Sequence, residues 1–540
     1  MLSEKRISLL TELQTSKNKA SQYVRNQIRT NGRLYGGCEG RPLETALTIH
    51  LFRDFPSIKN TECDHYYEIL LAYCHQFWEN SHQRLTGTLA DIDTLLSNLL
   101  MSRVCEDQPA ESLVFQRVPE SFNTFTHPSN TRKRILFSIL LAEMGIIPFQ
   151  SLDFNLESFS SESFHLFASL IMTAAKILYA IGREHLSAIT SEDVDFLLKN
   201  QSSDGGWENH VLLTLVTLMA LTKIGADPEP ISRGVAFVIR QIRANGSVPF
   251  IVDEDTWVTC MAGFVLTKVD RLDPTLPRVA AYIASQQLPS GGWCYTEGSR
   301  TSDTDDLAIC LSFLKLFDSA LYAENIRKGE MHLIALQNED GGFPAFVRGA
   351  ASEVEITAKA IMALSHEGGA FDNEVARAIH WLNAVQDQNG SFRREWKLSS
   401  SYPVAQVMHA LRFTRTISSS DDSIRQIRRR SVDYILGIQN SDGGWSPIPG
   451  VMQSSVLSTS YALIALCSAE IDAYPDAIIR GTEYILTHQE PSGEFISEPD
   501  SLSPRPILCD VKPLNTIYPL WAVSDLSNAI ESMPPESAAR

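Results

Sequence analysis

VDYILGIQNSDGGWSPIPGVMQSSVLSTSYALIALC, residues 432–467, holds the pattern from which the fold is read. Apolar residues at helical spacing run up to Gln439, a glycine pair interrupts them, Trp445 follows, and a more apolar segment begins near Ser455. Glycine after a periodic run is a helix stop, so the stretch predicts a helix, a turn and a second helix. The pattern is Gln, five residues, then Trp or Phe, with glycine between. It recurs as QSSDGGW (201–207), QLPSGGW (287–293), QNEDGGF (337–343), QDQNGSF (386–392) and QEPSGEF (489–495). The last five copies start 49 to 53 residues apart. A degraded copy, QIRANGSVPF (241–250), lies in the 86-residue gap before them, and another weak one, QIRTNGRLYGG, at 27–37. Periods near 50 mark stacked structural units.

Each unit reads alike, with AIHWLNAVQ (378–386) before one motif and EITAKAIMALS (355–365) after another. Strand patterns are nearly absent, so the chain is expected to be all-α. If about six hairpins close in a ring, the apolar second helices form an inner layer and the first helices an outer one, a double α-barrel around a cavity. An open solenoid is the competing geometry. The repeated Gln and aromatic residues are expected to be structural: Gln bonds the free carbonyls at the helix end and the ring packs on the neighbouring unit. VPESFNTFTHPSNTRKR (118–134) and SLDFNLESFSSESF (151–164) read as loops.

The 540 residues carry a net charge of −18, which argues against nucleic acid and against an anionic membrane surface. A phosphorylated ligand is still allowed, because a few local cations hold one. Nine scattered cysteines without a C-x-x-C pair fit a reducing compartment, and a cytoplasmic protein is expected. The N-terminal MLSEKRISLLTELQTSKNKA has no secretory apolar core. No apolar run approaches the roughly 20 residues of a membrane span, so no stable membrane insertion is expected.

SRTSDTDDLAIC (299–310) crowds Asp303, Asp305 and Asp306 at the start of a buried segment. Ten residues on from the motif aromatic, Trp293 leads to Asp303, Phe343 to Glu353, Phe392 to Tyr402 and Trp445 to Ser455. These four positions are expected to open inner helices, and two carry acids. Ser302 with Asp305 reads as a capping box, and acids suit a first turn. A cap uses one or two such side chains; here there are three, and Asp303 and Asp306 share a helix face. Carboxylates converging on a cavity raise one another's proton affinity, so at least one keeps its proton. A held proton above an apolar cavity suits an alkene, whose carbocation must be kept from water and stabilised by ring faces. Trp257, Phe346, Trp396, Tyr402 and Tyr461 are candidate rings, each also readable as ordinary core.

The repeats together with Asp303-Thr304-Asp305-Asp306 resemble the class II terpene cyclases, closest to the bacterial diterpene and sesquiterpene type. EDTWVTCMAGFVL (254–266), REWKLSSSYPVAQVMHAL (394–411) and NTIYPLWAVSDL (515–526) support the resemblance, which covers residues 200–530 well and the N-terminal part loosely. It implies two α-barrel domains in a βγ arrangement, of the α6/α6 type: an N-terminal β helix (1–25), an inserted γ domain (26–259) and the rest of β (260–540), with the active site between. It implies Asp305 as the acid, tuned by Asp303 and Asp306. The reaction would cyclise geranylgeranyl or farnesyl diphosphate to a labdane- or drimane-type bicyclic diphosphate without ionising the diphosphate. DDSIR (421–425) lacks the last acid of the metal motif that ionising enzymes use. His409 and Tyr402, on an inner helix, are candidates to orient the acid or support the final base, with an ordinary core position the leading alternative for His409.

For the diphosphate, GGCEGRPLET (36–45) offers Arg41 between Glu39 and Glu44, with Pro42 at a helix start. A Mg²⁺ bridging those carboxylates and the phosphates would fit hard-cation chemistry. Arg505 and Lys512 are further candidate cations, and CEDQPAE (105–111) is a weaker rival site. No organic cofactor is expected, and the only partner expected is a small isoprenoid substrate. Competing readings are a squalene–hopene-type triterpene cyclase, a meroterpenoid cyclase, a prenyltransferase β-subunit and a non-catalytic helical-repeat scaffold. The zinc of the third has only Cys509 and Asp510, with no histidine partner.

Overall fold

A computed structural model of the chain describes residues 2–58, 61–81, 90–105, 130–160, 164–365, 369–414, 422–469, 475–503, 505 and 507–532. Helix α1 (Leu2–Gln27) precedes eight helices: α2 (Pro42–Asp54), α3 (Thr61–Ser81), α4 (Ala90–Cys105), α5 (Asn130–Glu143), α6 (Leu166–Gly182), α7 (Ser191–Lys199), α8 (Val211–Lys223) and α9 (Pro228–Gln241). Then come α10 (Asp255–Val269), α11 (Leu276–Ser285), α12 (Thr304–Asp318), α13 (Ala323–Ala335), α14 (Val354–Leu364) and α15 (Asp372–Val385). The last five are α16 (Ser401–Ala410), α17 (Asp422–Gly437), α18 (Val456–Cys467), α19 (Pro475–Thr487) and α20 (Leu514–Ser532). Among the described residues the strands are two short antiparallel pairs, Gly40–Arg41 with Val248–Pro249 and Ser501–Leu502 with Leu508–Cys509.

The ring closes. Helices α10, α12, α14, α16, α18 and α20 pack each on the next, and α20 packs back on α10. The outer layer closes through the motif glycines. Gly32, Gly291, Gly341, Gly390 and Gly443 face backbone carbonyls of Arg278, Lys328, Arg377, Arg430 and Arg480, each in the next outer helix, and Gly493 faces that of Lys19 in α1. All six have φ between 88° and 94°, and a Cβ at any of them would lie 2.0 to 2.7 Å from that oxygen. Both the conformation and the space therefore demand glycine. The glutamines repeat the closure: Gln439 Nε2 donates to the carbonyls of Gly443 (2.8 Å) and Ala477 (2.9 Å). Gln489 Nε2 donates to those of Gly493 (3.2 Å) and Ser16 (3.1 Å). The last motif thus grips the first helix of the chain, which excludes an open solenoid.

Layering follows composition. Every residue of α18 is buried, because it faces the barrel interior on one side and the outer helices on the other. In contrast α17 buries only Ile424, Ile427, Ser431, Val432, Tyr434 and Ile435, one stripe at helical spacing. Trp293 and Trp445 are fully buried, and their indole N–H groups donate to the carbonyls of Ile283 (2.7 Å) and Ile435 (2.8 Å) at the ends of the preceding outer helices.

The ten-residue register holds at three positions. The N–H groups of Asp303, Glu353 and Ser455 each donate at 2.9 Å to the carbonyl of their motif aromatic. It fails at Tyr402, whose N–H bonds Ser399 O (3.2 Å), because the linker before α16 detours to pair with the 501–509 hairpin.

The helices α2 to α9 pack among themselves, with α8 against α2, α6 and α9. α1 instead packs on α20, α10 and α19. The expected domain break between residues 259 and 260 falls inside α10, one unbroken helix of the ring. The first helix likewise runs past residue 25 to Gln27. Residues 130–134, expected as loop, form the first turn of α5; residues 118–129 and most of CEDQPAE lie outside the described residues. Among the described residues no helix is long and apolar enough to cross a membrane.

Candidate active site

Asp303 caps α12: its Oδ1 accepts the Asp305 N–H at 2.7 Å. Ser302, expected in that role, instead meets His332 Nε2 at 3.2 Å. The loop before the cap is fixed from the other helical body by Glu208, a buried residue held at φ 54°. Its carboxylate accepts from the N–H groups of Arg300 (2.9 Å) and Thr301 (3.1 Å) and from the Ser299 hydroxyl (3.0 Å), so the acids stand on an anchored base.

Asp303, Asp305 and Asp306 line one cleft of 70 Å³, together with Trp257, Trp396 and Tyr402. Burial, reinforced by the charge of Asp305, pushes the Asp303 carboxyl well above its ordinary value. Burial, then Asp303 and Asp305, does the same to Asp306. Asp306 is 2% exposed, and its Oδ1 has no hydrogen-bond partner among the described residues. Both carboxyls therefore favour the protonated form. Asp305 differs. Its Oδ1 lies 2.5 Å from Lys359 Nζ, on α14 of the next repeat. Lys359 is 2% exposed and stands 5.7 Å from the ring centres of both Trp257 and Tyr402. Burial, the largest single influence, opposes its charge, but Asp305, Tyr518 and Glu355 together outweigh it and its proton affinity is raised overall.

Three carboxyl groups, one of them hydrogen-bonded to a buried lysine, meet under aromatic faces in one cleft, an arrangement that can hold and deliver a proton. The squalene-hopene cyclase C-terminal domain matches residues 349–528, and the prenyltransferase alpha-alpha toroid domain matches residues 150–328. The drimenyl diphosphate synthase of Streptantibioticus cattleyicolor is 28% identical over 522 residues, 94% of either chain. That of Streptomyces showdoensis is 30% identical over 334 residues, 62% of either chain. The chain belongs to the class II terpene cyclases. In fold, the cyclase resembles the ent-copalyl diphosphate synthase of Streptomyces platensis, with a TM-score of 0.61 at 16% identity over 95% of this chain and 99% of that one. It is an isomerase that starts an intramolecular cyclisation.

The remaining candidates of the cyclase divide sharply. Phe346 packs against Trp396 (6.2 Å) and on His165 (3.9 Å), beside the cleft. Tyr461 lies behind Tyr402, in edge contact with it (4.8 Å) and with Tyr518 (4.9 Å), in a second layer of rings. His409 takes the core position, the alternative to a supporting role. It sits among Phe264, Phe413 and Trp521, facing a separate cavity of 810 Å³. Seven residues of helix separate it from Tyr402, about 10 Å along the axis, so a shared helix does not put both at the acid. Lys359 has the place expected of His409.

Arg41 and Glu44 are bound to each other: Nε–Oε2 is 2.6 Å and Nη2–Oε1 is 2.7 Å. Arg41 Nη1 donates to the carbonyls of Ser503 (2.6 Å) and Leu508 (2.9 Å). The arginine therefore staples α2 to the 501–509 hairpin and is spent. Glu39 pairs with exposed Lys512 at 2.7 Å. These carboxylates do not fit a Mg²⁺ site, and among the described residues no three His, Cys, Asp or Glu side chains gather as ligands.

Arg505 does reach the cleft region. It is 5% exposed, lies 4.1 Å from the Trp396 ring centre and holds Glu353 through two bonds of 3.0 and 3.1 Å. Near it stand Arg132 and Lys133, in the first turn of α5. Burial and then the Arg505 charge push the Arg132 guanidinium down to about 10. Burial, Arg505 and Arg132 push Lys133 well down. His165 falls to about 3 through burial first and then all three cations. Two arginines and Lys133 against one carboxylate, Glu353, at a helix N-terminus make an anion-favouring corner. The signal existed in the sequence as NTRKR (130–134), but it read as a loop.

Proposed function

We propose that the cyclase converts farnesyl diphosphate to a bicyclic, drimenyl-type diphosphate, with Asp305 giving the first proton. The observation that carries this is the polarity of the cleft. Asp305, joined to Lys359, and the ring faces of Trp257, Trp396 and Tyr402 line it, and Arg505 of the Arg132–Lys133–Arg505 corner lies against the Trp396 ring. The acid protonates the terminal alkene, and the ammonium at 2.5 Å stabilises the carboxylate left behind. Trp257, Trp396 and Tyr402 then face the developing cation, while the diphosphate stays intact against the cationic corner. That corner replaces Arg41, Lys512 and a Glu39–Glu44 magnesium site as the proposed anchor. It also favours a diphosphate over an aromatic head group or over squalene, which has no charge to place there.

The C15 substrate is preferred because both drimenyl diphosphate synthases resemble this chain, one along nearly its whole length. The same reading takes residues 2–27 with 255–532 as the β barrel and the helices between as the inserted γ body. At 70 Å³ the cleft is far below the roughly 300 Å³ of an ordinary ligand site, so the lining rings swing aside as substrate enters. The test is separate incubation with farnesyl and geranylgeranyl diphosphate, phosphatase treatment and mass spectrometry. A bicyclic C15 alcohol is expected from the first. Cyclised product from the C20 substrate alone would overturn the chain length, and none from either would overturn the diphosphate reading.

A further inference from the structure

Resting on that reading, we infer that Lys397 is the base that ends the reaction, taking the proton whose loss turns the last carbocation into an alkene. Lys397 follows Trp396 and lines the same cleft as the three aspartates. It is 3% exposed, and its Nζ donates to Ser501 Oγ at 2.5 Å. The nitrogen stands 5.2 Å from the ring centre of Trp257 and 5.8 Å from those of Tyr402 and Tyr518. It therefore sits in the cleft of the acids, beside the rings that face the cation.

The two lysines of the cleft differ in their company. Lys359 has Asp305 as its hydrogen-bond partner. Lys397 has no carboxylate within ion-pair distance among the described residues; its hydrogen bond goes to a hydroxyl. Burial, the largest influence, together with Lys359 pushes its proton affinity below the ordinary lysine value, against the pull of Asp500, Glu254 and Glu355. Tyr402 and Tyr518, the other titratable groups against it, are pushed well up by burial and stay neutral. Across the cleft, Glu254 is pushed up to about 7 by burial, and its charge is felt by both Lys397 and Asp306. An ammonium at Lys397 would repel the carbocation that the rings attract; a neutral amine beside it is the stronger base.

The protons balance. Asp305 gives one to the terminal alkene, forming a C–H bond. At the last tertiary cation an adjacent C–H bond breaks, its electron pair becomes the new C=C, and Lys397 Nζ gains the proton. Passage of that proton back to the Asp305 carboxylate, directly or through solvent, resets the site, so the whole is an isomerisation.

The test reads product identity, which an inert or unfolded fraction does not alter. Wild type, Lys397→Met, Lys397→Arg, Ser501→Ala and Glu254→Gln are each run to completion with farnesyl diphosphate. Wild type is expected to give one alkene. Lys397→Met and Lys397→Arg are expected to give mostly water-captured alcohol or double-bond isomers while still cyclising, and Ser501→Ala a smaller shift in the same direction. If Lys397→Met does not fold, Lys397→Arg and Ser501→Ala decide. The wild-type alkene from the folded Lys397 variants overturns the inference, as does a changed product from Glu254→Gln alone. Complete loss of cyclisation in folded Lys397 variants would move Lys397 to the protonation step and equally overturn it. Failure of wild type to cyclise anything would instead remove the cyclase reading itself.

Discussion

Helices α12 and α14 begin alike and end up with different tasks. Each starts ten residues after a buried motif aromatic, each is fixed by the same 2.9 Å bond to that aromatic's carbonyl, and each carries acids at equivalent positions, Asp303 and Asp305 against Glu353 and Glu355. At α14 the acids are consumed. Glu353 holds Arg505 and accepts the Trp396 indole N–H at 2.6 Å, and Glu355 accepts the Trp396 backbone N–H at 3.1 Å. At α12 they are left under-satisfied: Asp306 Oδ1 has no partner among the described residues, and Asp305 has a lysine from the neighbouring repeat. The lesson is that a repeat places carboxylates, and the neighbours decide whether they are struts or acids. Glu355 and Glu353 position the segment that carries Trp396 and Lys397, so the strut end builds the wall of the acid end.

Four substitutions probe that contrast. Asp305→Ala removes the proton donor, and activity is expected to fall about 10³-fold or more, at the strong end of general-acid effects; Tm by circular dichroism should barely move. Activity within a few-fold of wild type would move the acid elsewhere in the motif. Lys359→Met leaves the acid in place but removes the charge that stabilises its anion, and a loss of about 10²-fold in kcat is expected, partly restored by Lys359→Arg. Glu353→Gln breaks a buried ion pair, so unfolding free energy should drop by about 3–5 kcal/mol and KM should change. The product should stay the same, and an altered ring system would mean that the strut end takes part in the chemistry.

The smallest effect is expected on stability alone. Asp306 binds its proton more tightly folded than unfolded, so it contributes no cost below the ordinary aspartate value near 3.9 and a growing one as pH rises towards its folded value. Asp306→Asn removes that cost. Its Tm is expected to exceed wild type at pH 7, with the advantage gone by about pH 4. A variant less stable than wild type at pH 7 would show that Asp306 is satisfied after all.

Much of this was legible in the sequence. Gln439, Gly443 and Trp445 act on their own turn and on the helices of adjoining copies, which every repeat supplies afresh, so one motif predicts all six. Asp303, Asp305 and Asp306 were visible because the equivalent helix starts supplied an internal control. Where the reading went wrong, it assumed that chemistry follows from residue type and local order. Arg41 looked free beside a helix start but was committed to Glu44. His409 shared a helix with Tyr402 but faces another cavity. Residues 130–134 looked like a loop because their polar first turn precedes the apolar part of α5.

By itself, then, the sequence determined the all-α repeat, the register of its motifs and the place of the three aspartates, since these rest on helix stops and on contacts that each copy repeats with its neighbour. Ring closure and the make-up of the site were decided only in the tertiary structure. Lys359 reaches Asp305 across 54 residues, Arg505 reaches Glu353 across 152, and Gln489 reaches Ser16 across 473. Such pairings depend on which helix ends are brought side by side when six hairpins close on one another, and no local pattern of residues encodes that.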